Sequence, residues 1–178
     1  MTTPDARKAR LFFGLPVDAA LAEHETTLVP ALVQEAQGRP VPAHNLHATL
    51  AFLGSVPISS IGELTGLGAA LPRTTLQLTL DCVGSFRAAR VAWLGMTRVP
   101  AALAALHAAL RARLAAAGMR VEDRPYQPHV TIARHCARML QPRGITPIAW
   151  PVRRIVLYES VTAPDGPVYT PRAAWALA

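Results

Sequence analysis

A chain of 178 residues, 51% hydrophobic and 16% charged, can bury a core of its own and is not disordered by composition. Its net charge is +7, and every Lys/Arg position except Lys8 is arginine, which favours anionic partners and suits planar, bidentate contact with phosphate. No apolar run approaches the roughly 18 residues of a membrane span, Met1–Asp5 lacks the opening of a signal peptide, and Cys82 and Cys136 form no CxxC pair of a zinc ribbon or redox site. The expectation is a cytoplasmic protein with two free thiols and no membrane partner.

Taken in chain order, Arg10–Pro16 reads as an opening strand closed by Gly14 and Pro16. Asp18 is placed to cap a helix running to about Gln37, with Gly38 and Pro40 ending it. Leu46–Leu53 alternates as a strand that Gly54 stops, and a helix follows over Ser60–Leu71. Thr75–Val83 alternates strictly and pairs as a hairpin with Arg90–Met96 through the Gly84–Phe86 region. Pro100 opens the best helix, in which Leu103, Leu106, Leu110 and Leu114 form one apolar stripe and Gly118 supplies the stop. His129–Ala133 is a short strand, Gln141–Pro147 an irregular stretch, and Val152–Glu159 and Val168–Leu177 the last strands. Hairpins and helices mix in this order, so the predicted class is α+β.

His47-Ala48-Thr49-Leu50 and His129-Val130-Thr131-Ile132 repeat one pattern nearly half the chain apart, each on a strand preceded by a helix. The repeat implies two related lobes, each contributing one copy. Because side chains alternate along a strand, His47 and Thr49 share one face and His129 and Thr131 another, with the apolar members turned toward the helices. Two imidazoles and two hydroxyls then face a common cleft. A ring with a pKa near ~6.5 can be neutral or charged around pH 7, so one can accept a proton while the other donates. The hydroxyls can hold phosphate oxygens as charge develops on them. Together these groups describe phosphodiester cleavage without a metal, since neither copy carries a carboxylate or thiol at ligand spacing.

The blocks Asn45–Gly54 and Pro128–Arg134 resemble the two signatures of the two-histidine (2H) phosphoesterases, and within them the LigT-like RNA 2′,3′-cyclic phosphodiesterases, also called 2′-5′ RNA ligases. Arg10–Pro16, Val83–Phe86, Val91–Gly95, Leu157–Ser160 and Gly166–Tyr169 extend the similarity over nearly the whole chain. The resemblance implies one domain over residues 1–178, made of two interleaved lobes. Two pseudo-symmetric, antiparallel-rich sheets would flank a central cleft, with helices outside. It implies hydrolysis of an RNA terminal 2′,3′-cyclic phosphate, such as that of a tRNA fragment, to a 2′-phosphate with no cofactor, and nothing in the sequence demands more than a monomer. His47 would be the proton donor to the departing 3′ oxygen, His129 the proton acceptor from water, and Thr49 and Thr131 the phosphate holders. Arg134 joins them by analogy, although strict alternation puts it on the face opposite His129. Tyr126 is a candidate base or sugar contact. His24, His44, His107 and His135 read as surface or packing residues, with His135 a candidate for the cleft mouth, and Asp81 and Asp123 as strand-edge or turn residues. Rival readings are 2′-5′ ligation, hydrolysis of another cyclic nucleotide phosphate, and a non-catalytic basic RNA-binding module.

Overall fold

The computed structural model describes residues 7–18, 27–164 and 166–178. Among them, nine strands and three α-helices follow one another. They are β1 (Lys8–Pro16), α1 (Leu28–Ala36), β2 (Arg39–Pro40), β3 (His47–Pro57), α2 (Ile61–Ala69), β4 (Leu76–Phe86) and β5 (Val91–Gly95), followed by α3 (Ala101–Ala116), β6 (His129–Arg134), β7 (Arg143–Val152), β8 (Arg154–Ala163) and β9 (Gly166–Ala176). The α+β class is borne out.

Every strand pairing is antiparallel, and the order is β7-β4-β5-β6-β3-β1-β8-β9, with the short β2 beside β6. Four strands lie on each side of a seam where β6 meets β3 through the single pair Ala48–Val130. The two expected sheets are therefore joined there into one. The chain lays down β1 and β3 on one side, builds β4 to β7 on the other, and returns with β8 and β9 to the first. Leu11, Phe13, Leu15, Ala48, Leu50, Leu94, Val130 and Ile132 turn to one core, where the α3 stripe Leu103, Leu106, Leu110 and Leu114 is also fully buried. Phe12 turns the other way, into a small cluster with Val156 and Tyr158. The period-two pattern of β1 thus separates a structural face from the face that carries the histidines.

Some sequence expectations need correction. Gln141–Pro147 is irregular only at its start, because β7 begins at Arg143 and runs through Pro147 and Pro151. Those prolines, with Pro167 and Pro171 of β9, sit in the two edge strands, where an absent N–H removes no bond from the interior of the sheet. Gly54 does not end its strand: it takes a left-handed φ of +68° inside β3, which continues to Pro57. At the end of α1 the left-handed residue is Gln37 (φ 49°), not Gly38. Gly38 is needed for space, since a Cβ there would come within 2.8 Å of Cys136 Sγ. Described α1 starts at Leu28, and residues 19–26 of the expected helix, with His24, lie outside the described residues. Asp18 instead pairs with Arg154 at 3.5 Å.

Candidate active site

The seam is where the two repeats meet. With Ala48 opposite Val130, antiparallel register sets His47 opposite Thr131 and Thr49 opposite His129. The four side chains stand at the corners of a square centred on that pair, all on the face that Ala48 and Val130 leave. Direct neighbours in such a ladder are about 5 Å apart and diagonal ones about 7–8 Å, so two imidazoles flank a space the size of one phosphate. The seam and its surroundings form the floor of a cleft of about 900 Å³ that His47, Thr49, Tyr126, His129, Thr131 and Arg134 all line. The structure brings together every residue the sequence singled out for chemistry.

The two rings are held alike. His47 Nδ1 lies 2.7 Å from the Asn45 carbonyl, and His129 Nδ1 lies 2.8 Å from the Gln127 carbonyl. A carbonyl only accepts, so Nδ1 carries the proton in both rings and Nε2 is left for chemistry. Aromatic rings fix each plane. His47 meets Tyr169 edge-on at 5.1 Å and lies 4.8 Å from Phe12, while Phe86 meets His129 edge-on at 4.8 Å with Trp93 behind. Burial pushes the His47 pKa down to about 4, helped by the charge of Arg134 and opposed by the Asn45 carbonyl. His129 is lowered for the same leading reason, with Arg124 and Arg134 adding to it and the Gln127 carbonyl opposing. The protein's own groups therefore favour the neutral form of both rings at pH 7.

Arg134 reaches the site by a route that alternation alone does not foresee. In the β5–β6 ladder Trp93 pairs with Thr131 and Ala92 with Ala133, so Ile132 is an extra residue, a β-bulge. The bulge buries both Ile132 and Ala133 and returns Arg134 to the face of His129. There Arg134 lines the cleft, acts electrostatically on both histidines, and donates from Nη2 to the Tyr169 hydroxyl at 3.3 Å. The first repeat carries the same device. Gly14 pairs with Thr49 and Phe13 with Ala51, leaving Leu50 extra. Phe52 is thereby the counterpart of Arg134. It lines the cleft, 37% exposed, with the Arg10 guanidinium 5.4 Å from its ring centroid.

Tyr126 lines the cleft, but one face of its ring is occupied by His107, stacked at 3.7 Å and 7°. Its hydroxyl donates to the Thr49 carbonyl at 3.5 Å, and burial raises its pKa above that of an ordinary phenol. His107 is therefore a packing residue and also a cleft residue. His44 is exposed in a short 3-10 turn, and His135 is exposed just past β6 and does not line the cleft. Asp81 caps a turn, accepting from the Thr97 N–H at 2.7 Å and hydroxyl at 2.6 Å, while Asp123 lies 3.8 Å from Arg111. Arg111, Arg120 and Arg124 extend the basic lining along the α3 side, where Arg124 pairs with Glu122. Among the described residues, no three of His, Cys, Asp and Glu cluster so as to hold a metal ion. Among them, too, no helix is long and apolar enough to cross a membrane.

Paired imidazoles, two hydroxyls and a guanidinium lining one cleft are the groups that phosphate ester chemistry uses, and known proteins of that class are similar to this chain. Residues 17–163 match the 2′-5′ RNA ligase superfamily, and the chain belongs to it. It is 35% identical over 170 residues to the Escherichia coli (strain K12) RNA 2′,3′-cyclic phosphodiesterase, covering 94% of this chain and 96% of that protein. It is 33% identical to the Thermus thermophilus protein of the same name, over 90% of this chain and 86% of that one. Among solved structures, E. coli LigT complexed with 3′-AMP superposes with a TM-score of 0.81 at 35% identity, covering 96% of this chain and 98% of that one. The resemblance read from the two motif blocks is borne out.

Proposed function

We propose that this protein is an RNA 2′,3′-cyclic phosphodiesterase that works by acid–base chemistry without a metal. The observation that carries the reading is the Ala48–Val130 register, which brings the two His/Thr pairs to one square. His129 Nε2 takes a proton from water as the water oxygen bonds to phosphorus. The bond from phosphorus to the 3′ oxygen breaks, and His47 Nε2 gives that oxygen its proton. Ring strain in the cyclic diester helps the step, and the product is a 2′-phosphate beside a free 3′-hydroxyl. Thr49, Thr131 and Arg134 donate to the non-bridging oxygens, where negative charge grows. The substrate's own anion lies between the rings and opposes the burial that keeps them neutral, so it favours the imidazolium the reaction needs. An imidazolium whose unliganded pKa is about 4 is also a ready proton donor.

Phe52 offers an exposed ring on which a base can stack, and Tyr126 offers an edge to the sugar. Arg111 and Arg120 lie where the rest of an RNA strand would run. The same groups catalyse 2′-5′ joining when the 5′-hydroxyl of a second RNA takes the part of the attacking water, bonding to phosphorus as the 3′ oxygen leaves, and the family's name favours keeping that second reading. The chain acts, in this reading, as one domain of two interleaved lobes, a monomer in the cytoplasm, because one chain supplies both halves of the site.

The test is an oligoribonucleotide ending in a 2′,3′-cyclic phosphate, incubated with EDTA. The expected product is the 2′-phosphate, and His47→Ala or His129→Ala lowers turnover by about 10²–10⁴-fold while RNA binding is largely kept. A 3′-phosphate product refutes the leaving group, and activity abolished by chelator refutes the metal-free mechanism.

A further inference from the structure

Asn45 is the one polar or charged residue among the described ones that is fully buried, at 6% exposure, and it lies two positions before His47. Its backbone N–H closes the local turn by donating to the Pro42 carbonyl at 2.8 Å, and two further bonds reach out of that turn. Its backbone carbonyl holds His47 Nδ1 at 2.7 Å, and its side-chain Nδ2 donates to the Pro167 carbonyl at 2.9 Å, 122 residues along the chain. A carbonyl partner fixes the orientation of the amide, since only the NH₂ end can donate. The other end, Oδ1, is buried with no hydrogen-bond partner among the described residues, so the amide contributes its donor alone.

What that donor grips is part of the cleft. Pro167 lies in β9 two residues before Tyr169, and both line the site. Tyr169 meets His47 edge-on at 5.1 Å and accepts from Arg134 at 3.3 Å. One side chain therefore ties the turn that sets the His47 ring to the strand that braces the other side of that ring and the phosphate-holding arginine. At the matching position of the second repeat the Gln127 side chain is exposed, and among the described residues it makes no such bond.

We propose that Asn45 is a positioning residue for His47. By fastening its own turn to the β8–β9 hairpin, its amide keeps the Asn45 carbonyl on Nδ1 and His47 Nε2 aimed at the phosphate beside Arg134. The inference rests on the reading of His47 as the proton donor. Without the tether, the carbonyl shifts and the imidazole samples the tautomer protonated on Nε2. A displacement of about 1 Å at a reacting group costs on the order of 10²-fold in rate.

Asn45→Ala tests it through two readouts. The first is kcat and KM on a cyclic-phosphate oligoribonucleotide. The second is the ¹⁵N shifts of His47 in the unliganded protein, which report the tautomer with no substrate present. The expected result is a fall of about 10²-fold in kcat with KM nearly unchanged, and a mixture of His47 tautomers while His129 stays protonated on Nδ1. If Asn45→Ala does not fold, Asn45→Asp keeps the shape, lacks the donor, and is read by the same tautomer and kcat measurements. Its added charge, felt alongside Arg134, His129, Tyr158 and Tyr169 around the ring, also moves the acidic limb of kcat/KM to higher pH. Unchanged kcat overturns the proposal. So does a lost kcat with His47 still wholly protonated on Nδ1, which marks a merely structural role. Inactive wild-type protein with an intact Asn45 effect on the tautomer overturns the enzymatic reading instead.

Discussion

The buried imidazole of His47 makes stability depend on pH in a direction that can be worked out. In the unfolded chain its pKa is the ordinary 6.5, and in the folded protein burial lowers it to about 4. Between those values the unfolded state binds the proton and the folded state does not, so stability falls as pH is lowered. His47 contributes fully above 6.5, loses ground steadily as pH drops, and has no more to lose below about 4. At 1.36 kcal/mol per pKa unit the loss from this one ring is about 3 kcal/mol, a large part of the 5–15 kcal/mol of a typical domain. His129 adds a loss of the same sign. Urea denaturation at a series of pH values from 7.5 to 4, without phosphate, measures it, and His47→Gln supplies the control. Glutamine can still donate to the Asn45 carbonyl but does not titrate. The variant is offset at pH 7, because packing on Phe12 and Tyr169 is lost, but its stability declines less steeply with falling pH, by about 3 kcal/mol over the range. Parallel curves for the two proteins would refute the burial argument.

Three further outcomes follow from the same structure. The profile of kcat/KM, which reports the free enzyme, is a bell whose acidic limb lies near 4 and whose alkaline limb lies below 6.5, whereas that of kcat moves to higher pH because the bound anion raises both rings; coincident profiles would contradict this. Replacing Arg134 with Ala lowers kcat/KM by about 10–100-fold, the scale of a lost charge-assisted bond, and Arg134→Lys recovers only part of it because lysine cannot hold Tyr169 and phosphate with one planar fork. A methyl group at Gly68 would lie 2.3 Å from the Trp175 ring, so Gly68→Ala lowers stability by about 1–3 kcal/mol, read by calorimetry, with activity per folded molecule unchanged.

The sequence was most readable where one period governs a whole element. The α3 leucines and the alternation of β4 are such cases, and the His-x-Thr echo gave the pair of histidines directly. Its limits are just as local. Arg134 sits an odd number of residues from His129, and only the bulge at Ile132 brings it round. A bulge is decided by the partner strand and leaves no mark in the pattern of β6 itself. Pro147 reads as irregular chain because a strand at the edge of a sheet tolerates what an interior one does not, and edge position belongs to the fold. Gln37 takes the left-handed turn that Gly38 was expected to make, because close contact with Cys136 claims the glycine instead. Tyr169 and Asn45 fall within stretches that resemble the family, but nothing in the sequence pattern shows what they do, since their value lies in partners more than a hundred positions away or across the sheet.

The order in which the strands are laid down has a consequence for dissection. The half that holds His47 is assembled from both extremities of the polypeptide, and the half that holds His129 is an insertion between them. A fragment ending before Arg154 would keep every residue proposed to hold phosphate yet strip β1 of its outer neighbour, whereas an excised segment from β4 through β7 would carry His129 alone. No single cut yields one working half, so any attempt to minimise this protein must graft, not trim.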